Sequence, residues 1–224
     1  MEKFLSVFHE SQLFRDIDGE GLRGMLTCID AKVKRYAKGE FLLQAGDTPC
    51  AVGMVLSGEV HLVREDFWGN KDILTDVKAG ETFAEASALL GDRPILFGAV
   101  ATQPTEAIFL PVNRLLITCS TSCGCQAKVI ENLLGILAER NLVYERKCGH
   151  LSHRTTREKL LSFLSEQSTV NGSHEFTIAY NRQELADYLS VDRSAMSAEL
   201  SRMQVDGLIA YEKSRFCLLK NENP

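Results

Sequence analysis

The chain has 224 residues, 45% of them hydrophobic and 25% charged, with a formal net charge of −5. That is ordinary globular composition and excludes a disordered or fibrous protein. No run approaches the roughly 20 apolar residues that span a bilayer. The opening MEKFLSVFHESQLF carries too short an apolar run for a secretory signal.

Seven scattered cysteines, an odd number, argue against a secreted disulfide framework and for a cytoplasmic protein with reduced thiols. The acidic surplus is local. Residues 1–146 hold 15 Lys and Arg against 20 Asp and Glu, whereas 147–224 hold 10 against 10. A balanced C-terminal part can still turn one basic face to a nucleic acid.

From about residue 30 to 112 the sequence reads as short strands: Val33–Tyr36, Phe41–Leu43, Val52–Leu56, Val60–Val63, Ile73–Leu74, Ala99–Ala101 and Ala107–Leu110. Gly39, Gly46, Gly58, Gly69 and Gly80 fall between or at the ends of these runs, where turns need positive φ. Many short strands at near-regular spacing indicate an all-β sandwich or barrel. Ser57-Gly58-Glu59, between two apolar runs, predicts a tight hairpin. Residues 1–116 form this first domain.

After Pro111 the period changes. From about Ser122 to Lys147 there is no proline, and Ile130, Leu133, Leu134, Leu137 and Tyr144 recur at helical spacing close to a heptad. The segment 117–148 is therefore a long helix whose apolar positions spread over more than one face. One stripe can cover the first domain while another is the expected interface of a homodimer; a core helix within a monomer is the alternative. Gly149-His150 marks a break, and a short helix over 155–165 follows.

Residues 149–224 form a last domain. Its reading is a turn at Asn171-Gly172-Ser173, a short strand Phe176–Ile178, helices Arg182–Leu189 and Arg193–Gln204, and a hairpin around Lys213-Ser214-Arg215. Two short helices joined by about three residues hold a fixed angle when their crossing is small and apolar. Ala186 supplies the small residue, and Leu185, Leu189, Val191, Met196, Leu200 and Met203 supply the shared core. This is the logic of a helix-turn-helix, whose second helix enters the major groove.

Asp192 is a good N-cap for that second helix. Arg193, Ser194 and Ser197 offer the forked or short hydrogen-bonding groups that base edges require. Arg182 and Gln183 at the first helix start, and Lys213 or Arg215 in the hairpin, are candidates for DNA phosphates, and Arg202 on the second helix is a further DNA-binding candidate.

The order β-roll, long helix and winged helix-turn-helix resembles the Crp/Fnr family of bacterial transcription regulators over nearly the whole chain. NRQELADYLSVDRSAMSAELSRMQVDGLI is similar to that family's DNA-binding signature, and KAGETFAEASALL to the start of its cyclic-nucleotide cassette. The resemblance implies an α+β protein: an N-terminal double-stranded β-helix (jelly-roll) domain, a dimerisation helix and a C-terminal winged helix. It implies a homodimer on a palindromic operator, with recognition helices about 34 Å apart. It also implies a small-molecule effector, and an RNA polymerase contact if the protein activates.

The sequence departs from the family in places. Glu85 stands where cyclic-AMP-binding members hold the ribose, but the Arg-Ser pair that would hold the phosphate falls on Ile95-Leu96. Two aliphatic side chains offer no donors, and Arg93 is the nearest cation in sequence, so the expected effector pocket of Glu85, Arg93, Ile95 and Leu96 is one for something other than cyclic AMP. Ser194 and Ala198 replace a glutamate and an arginine of the family's reading helix, so the operator differs from the best-known one. Ser190 replaces a common turn glycine.

Cys119, Cys123 and Cys125 lie at the junction of roll and helix, where a redox or metal cluster would act on the dimer helix; buried hydrophobic thiols are the alternative. The five histidines show no metal spacing, and His61 alternates with Val60 and Leu62 on a strand. No cofactor is named by any motif. A cupin-type enzyme fails on ligand count, since residues 30–112 contain only His61. A cyclic-nucleotide-binding module with a non-DNA interaction domain is the other alternative.

Overall fold

A computed structural model describes residues 2–117 and 123–219 and divides into two compact units, Met1–Glu139 and Arg140–Pro224. The boundary falls inside one helix. The long helix is therefore not a separate segment: its first half belongs to the roll, its last turns to the C-terminal unit.

The first unit opens with helices the sequence reading did not anticipate, α1 (Leu5–Glu10) and α2 (Gly19–Cys28). Asp18 caps α2, its carboxylate accepting from Gly21 N at 2.8 Å and Glu20 N at 3.1 Å. Then come β1 (Lys32–Tyr36), β2 (Phe41–Leu43), β3 (Ala51–Ser57), β4 (Glu59–Glu65), β5 (Lys71–Lys78), β6 (Thr82–Phe83), α3 (Glu85–Leu90), β7 (Gly98–Ala101) and β8 (Thr105–Pro111). They form two antiparallel four-stranded sheets, β1-β8-β3-β6 and β2-β7-β4-β5. This is the jelly-roll arrangement.

The expected hairpin at Ser57-Gly58-Glu59 is a correction. β3 pairs with β8 and β6, and β4 pairs with β7 and β5, so Gly58 turns the chain from one sheet to the other. Its φ is +86°, and a Cβ there would lie 2.6 Å from the Pro104 carbonyl oxygen and collide with Thr105. Only glycine fits that corner. A hairpin that does form is β4–β5, whose tip is closed by Asp66 accepting from the backbone N–H groups of Trp68 and Asn70, both at 2.9 Å.

β3 is buried on both faces, which is why its sequence is an unbroken apolar run. Val55 faces the roll interior with Phe83, Ala99 and Ala107; Val52, Met54 and Leu56 face outward into a second core with α1 and α2. α4 (Val112–Leu115) ends the roll, and α5 (Cys123–Leu151) lays Val129, Leu133 and Ile136 into that second core. Two buried amides fix α5 to the roll. Gln126 Nε2 lies 2.8 Å from each of the carbonyls of Arg114, Leu115 and Ile117, and Asn132 Nδ2 donates to Leu13 and Arg15 at 3.1 and 2.9 Å.

Leu133 therefore leaves the expected dimer stripe: it is 2% exposed within its own unit. Ile130 and Leu137 are half-buried at the edge of the same core, while Leu134 is 62% and Tyr144 64% exposed.

The second unit adds α6 (Thr156–Asn171), β9 (Glu175–Thr177), α7 (Arg182–Leu189), α8 (Arg193–Val205), β10 (Ile209–Glu212) and β11 (Arg215–Leu218), with sheet order β10-β11-β9. α6 carries a capping box, Thr155 with Glu158, and runs six residues beyond the expected Ser165, to the left-handed cap Gly172. His150, at the end of α5, is buried against Phe163, its ring nitrogens 2.8 Å from Ser162 Oγ and 2.9 Å from Glu166 Oε2.

Candidate nucleic-acid interface

α7 begins where Asn181 caps it, accepting from Gln183 N and Glu184 N at 2.9 and 3.0 Å while Glu184 reaches back to Asn181 N at 2.7 Å. It ends at Ser190 in the left-handed conformation, φ 50°, a position glycine usually takes. Asp192 then caps α8, accepting from Ala195 N at 2.8 Å. The Ser194 hydroxyl and that amide hold the Asp192 carboxyl below the usual aspartate range. Leu185, Ala186, Leu189, Met196, Leu200 and Met203 are fully buried with Phe163 and Phe216, so the crossing of α7 and α8 is set by their shared core.

This packing turns Arg193, Ser194 and Ala198 outward at the start of α8, with Ser197 half-buried beside them. Among the described residues the Arg193 and Lys213 side chains make no hydrogen bond or ion pair, which leaves both cations available. The other candidates are engaged. Gln183 Nε2 donates to Asp187 at 2.8 Å, Arg202 is 3.0 Å from Glu199, and Arg215 is paired with Glu175.

Arg182 has a different place from the one its charge suggested. Its guanidinium lies 4.9 Å from the ring centre of Tyr211 and 5.2 Å from that of Phe216, and donates to the Lys213 carbonyl at 2.8 Å. Burial against those rings lowers its pKa. It ties the β10–β11 wing to the start of α7. Lys213 itself sits in the two-residue wing turn with φ 51°.

The expected effector residues do not share one environment. Glu85 is buried, accepting from the Thr82 hydroxyl at 2.7 Å, and Ile95 is 2% exposed. Leu96 is 80% exposed, and Arg93 is also on the surface. In the roll, Phe83 is buried among small aliphatic side chains, and half-buried Phe109 and Tyr36 pack against that cluster. Phe83 meets Phe109 edge-to-face at 5.9 Å, Phe109 meets Tyr36 at 6.5 Å, and a Cβ on Gly53 would collide with Phe83.

Of the cysteine cluster, Cys119 and the Cys123 side chain lie outside the described residues. Cys125 is half-buried against the core and faces Gly21.

Residues 33–122 match the cyclic nucleotide-binding domain family, and residues 158–223 the Crp-like helix-turn-helix domain family. The nitrogen fixation regulation protein FixK of Azorhizobium caulinodans is 33% identical over 79 residues, 33% of this chain and 32% of that protein, so the match spans about a third of that relative. Among solved structures, the catabolite activator protein of Thermus thermophilus aligns with TM-score 0.57 and 24% identity, covering 93% of each chain. A cyclic nucleotide-binding domain from Methylobacillus flagellatus aligns with TM-score 0.54 and 25% identity over 65% of this chain and 80% of its own.

Proposed function

The chain belongs to the Crp/Fnr family of transcription regulators, and from that membership we propose that it acts as a homodimer reading a palindromic operator through α8. The observation that carries this is the start of α8, where unpaired Arg193 stands with Ser194 and Ser197 on a helix held by a complete apolar core. The wing adds Lys213 as a phosphate contact. A two-fold pair of such units matches two half-sites one helical turn apart.

Selection of operators from random duplexes, followed by anisotropy titrations, tests the reading. Arg193→Ala should lose roughly 1–3 kcal/mol of discrimination at one base position while non-specific binding persists. Unchanged preference for the selected operator would remove α8 from the reading role.

The effector is proposed to be something other than cyclic AMP. A cyclic phosphate needs a fork of donors or an anion nest, and the residues at the phosphate position are buried Ile95 and exposed Leu96. Calorimetry with cyclic AMP should give no saturable heat at micromolar protein. A micromolar Kd abolished by Glu85→Ala would overturn this. Contact with RNA polymerase belongs to the proposal only if the regulator activates.

A further inference from the structure

We propose that the outer face of the β4–β5 hairpin is a divalent-metal site formed by Glu59, His61 and Asp76. Glu59 and His61 are two residues apart on β4, so their side chains leave the same face, opposite to Val60 and Leu62, which pack into the roll core. Antiparallel pairing sets Asp76 directly across from His61. One ligand atom from each of the three lies within 4.8 Å of the others, and His61 Nε2 is 3.1 Å from Asp76 Oδ1. Donors bound to one tetrahedral ion at 2.0–2.2 Å stand roughly 3.2–3.6 Å apart, so His61 and Asp76 are already near that spacing and the flexible Glu59 closes by rotation.

An ordinary His–Asp pair would not explain Glu59. Two carboxylates converge on one imidazole here, although Lys78 is the register partner of Glu59 and makes no ion pair with it among the described residues. The Glu59 carboxylate is met instead by the Thr102 hydroxyl, 3.3 Å from Oε2, a contact of the kind that orients metal ligands. One nitrogen and two oxygens suit a first-row divalent ion such as Zn²⁺, Mn²⁺ or Fe²⁺, not a soft ion. With three protein ligands the ion keeps open positions for water. It would bind the two arms of the hairpin just before the bulge between Leu62 and Val63, below a tip whose Phe67 and Trp68 are exposed.

The test uses the full chain stripped of metal. Mn²⁺ is the probe, because thiols bind it poorly and the chain has seven cysteines. Loss of the free Mn²⁺ electron paramagnetic resonance signal should saturate at one ion per chain and be reversed by Zn²⁺. His61→Ala and Asp76→Asn should each weaken binding about tenfold or more, whereas Cys148→Ser should leave it unchanged. Metal-free thermal midpoints of these surface variants should match the wild type, and Mn²⁺ should raise the midpoint in the wild type and in Cys148→Ser but not in His61→Ala or Asp76→Asn. No saturable binding, or binding that survives His61→Ala, overturns the proposal.

Discussion

Arg182 and Lys213 divide the work that their shared charge suggested they would both do. Arg182 stacks on Tyr211 and Phe216 and holds the Lys213 carbonyl, an arrangement worth roughly 0.5–2 kcal/mol for the stack alone. Arg182→Ala should therefore release the wing and lower affinity for every sequence while leaving the salt slope nearly intact. Lys213→Ala should lower the salt slope by about 1. Binding isotherms across a salt series separate the two. The sequence displays Arg182 as a cation at a helix start, but the rings that receive it lie about 30 residues later. His61 is similar: on its own strand it shows no metal spacing, and Asp76 joins it only through the β4–β5 register.

At the scale of an element, α5 shows where periodicity stops informing. Its helical spacing was legible, and so was the presence of more than one apolar stripe. Which stripe faces home was not. Val129, Leu133 and Ile136 are claimed by the roll, and Leu134 and Tyr144 point to solvent. Leu133→Ala should cost about 2–5 kcal/mol, read as a lowered melting midpoint. Leu134→Asp should spare the melt of the single chain and dissociate the proposed dimer, as light scattering would report. The β3–β4 corner misled for a related reason. A strand buried on both faces does not show which neighbour it pairs with, so a glycine between two apolar runs reads as a hairpin whether or not the strands meet.

For the whole molecule, the glycine-punctuated strands, the long helix and the winged unit were readable because each has its own period and punctuation. The N-terminal helices α1 and α2 were not: they are short, and their apolar residues are called for by the outer face of the roll. Several carboxyls have depressed pKa values: Asp18, by the Gly21 N–H; Glu158, by Thr155; Asp192, by Ser194 and the Ala195 N–H; and Glu106, by Lys3 and Arg35. A lowered folded pKa contributes stability that is complete above the ordinary carboxylate range and is lost as pH falls through the folded values. Thermal midpoints should hold from neutrality to roughly pH 5 and drop below it. Asp192→Asn, which keeps a capping oxygen but cannot titrate, should reduce that drop.

The strand order also dictates a timetable. β1 pairs with β8, Lys32 opposite Phe109, and β2 with β7, Phe41 opposite Val100. At about 5–20 residues per second, β1 waits on the order of ten seconds on the ribosome for its partner to be made. β8 also flanks β3, so its arrival closes two seams at once. A chain halted before Thr105 leaves β1 without its partner and one edge of apolar β3 uncovered.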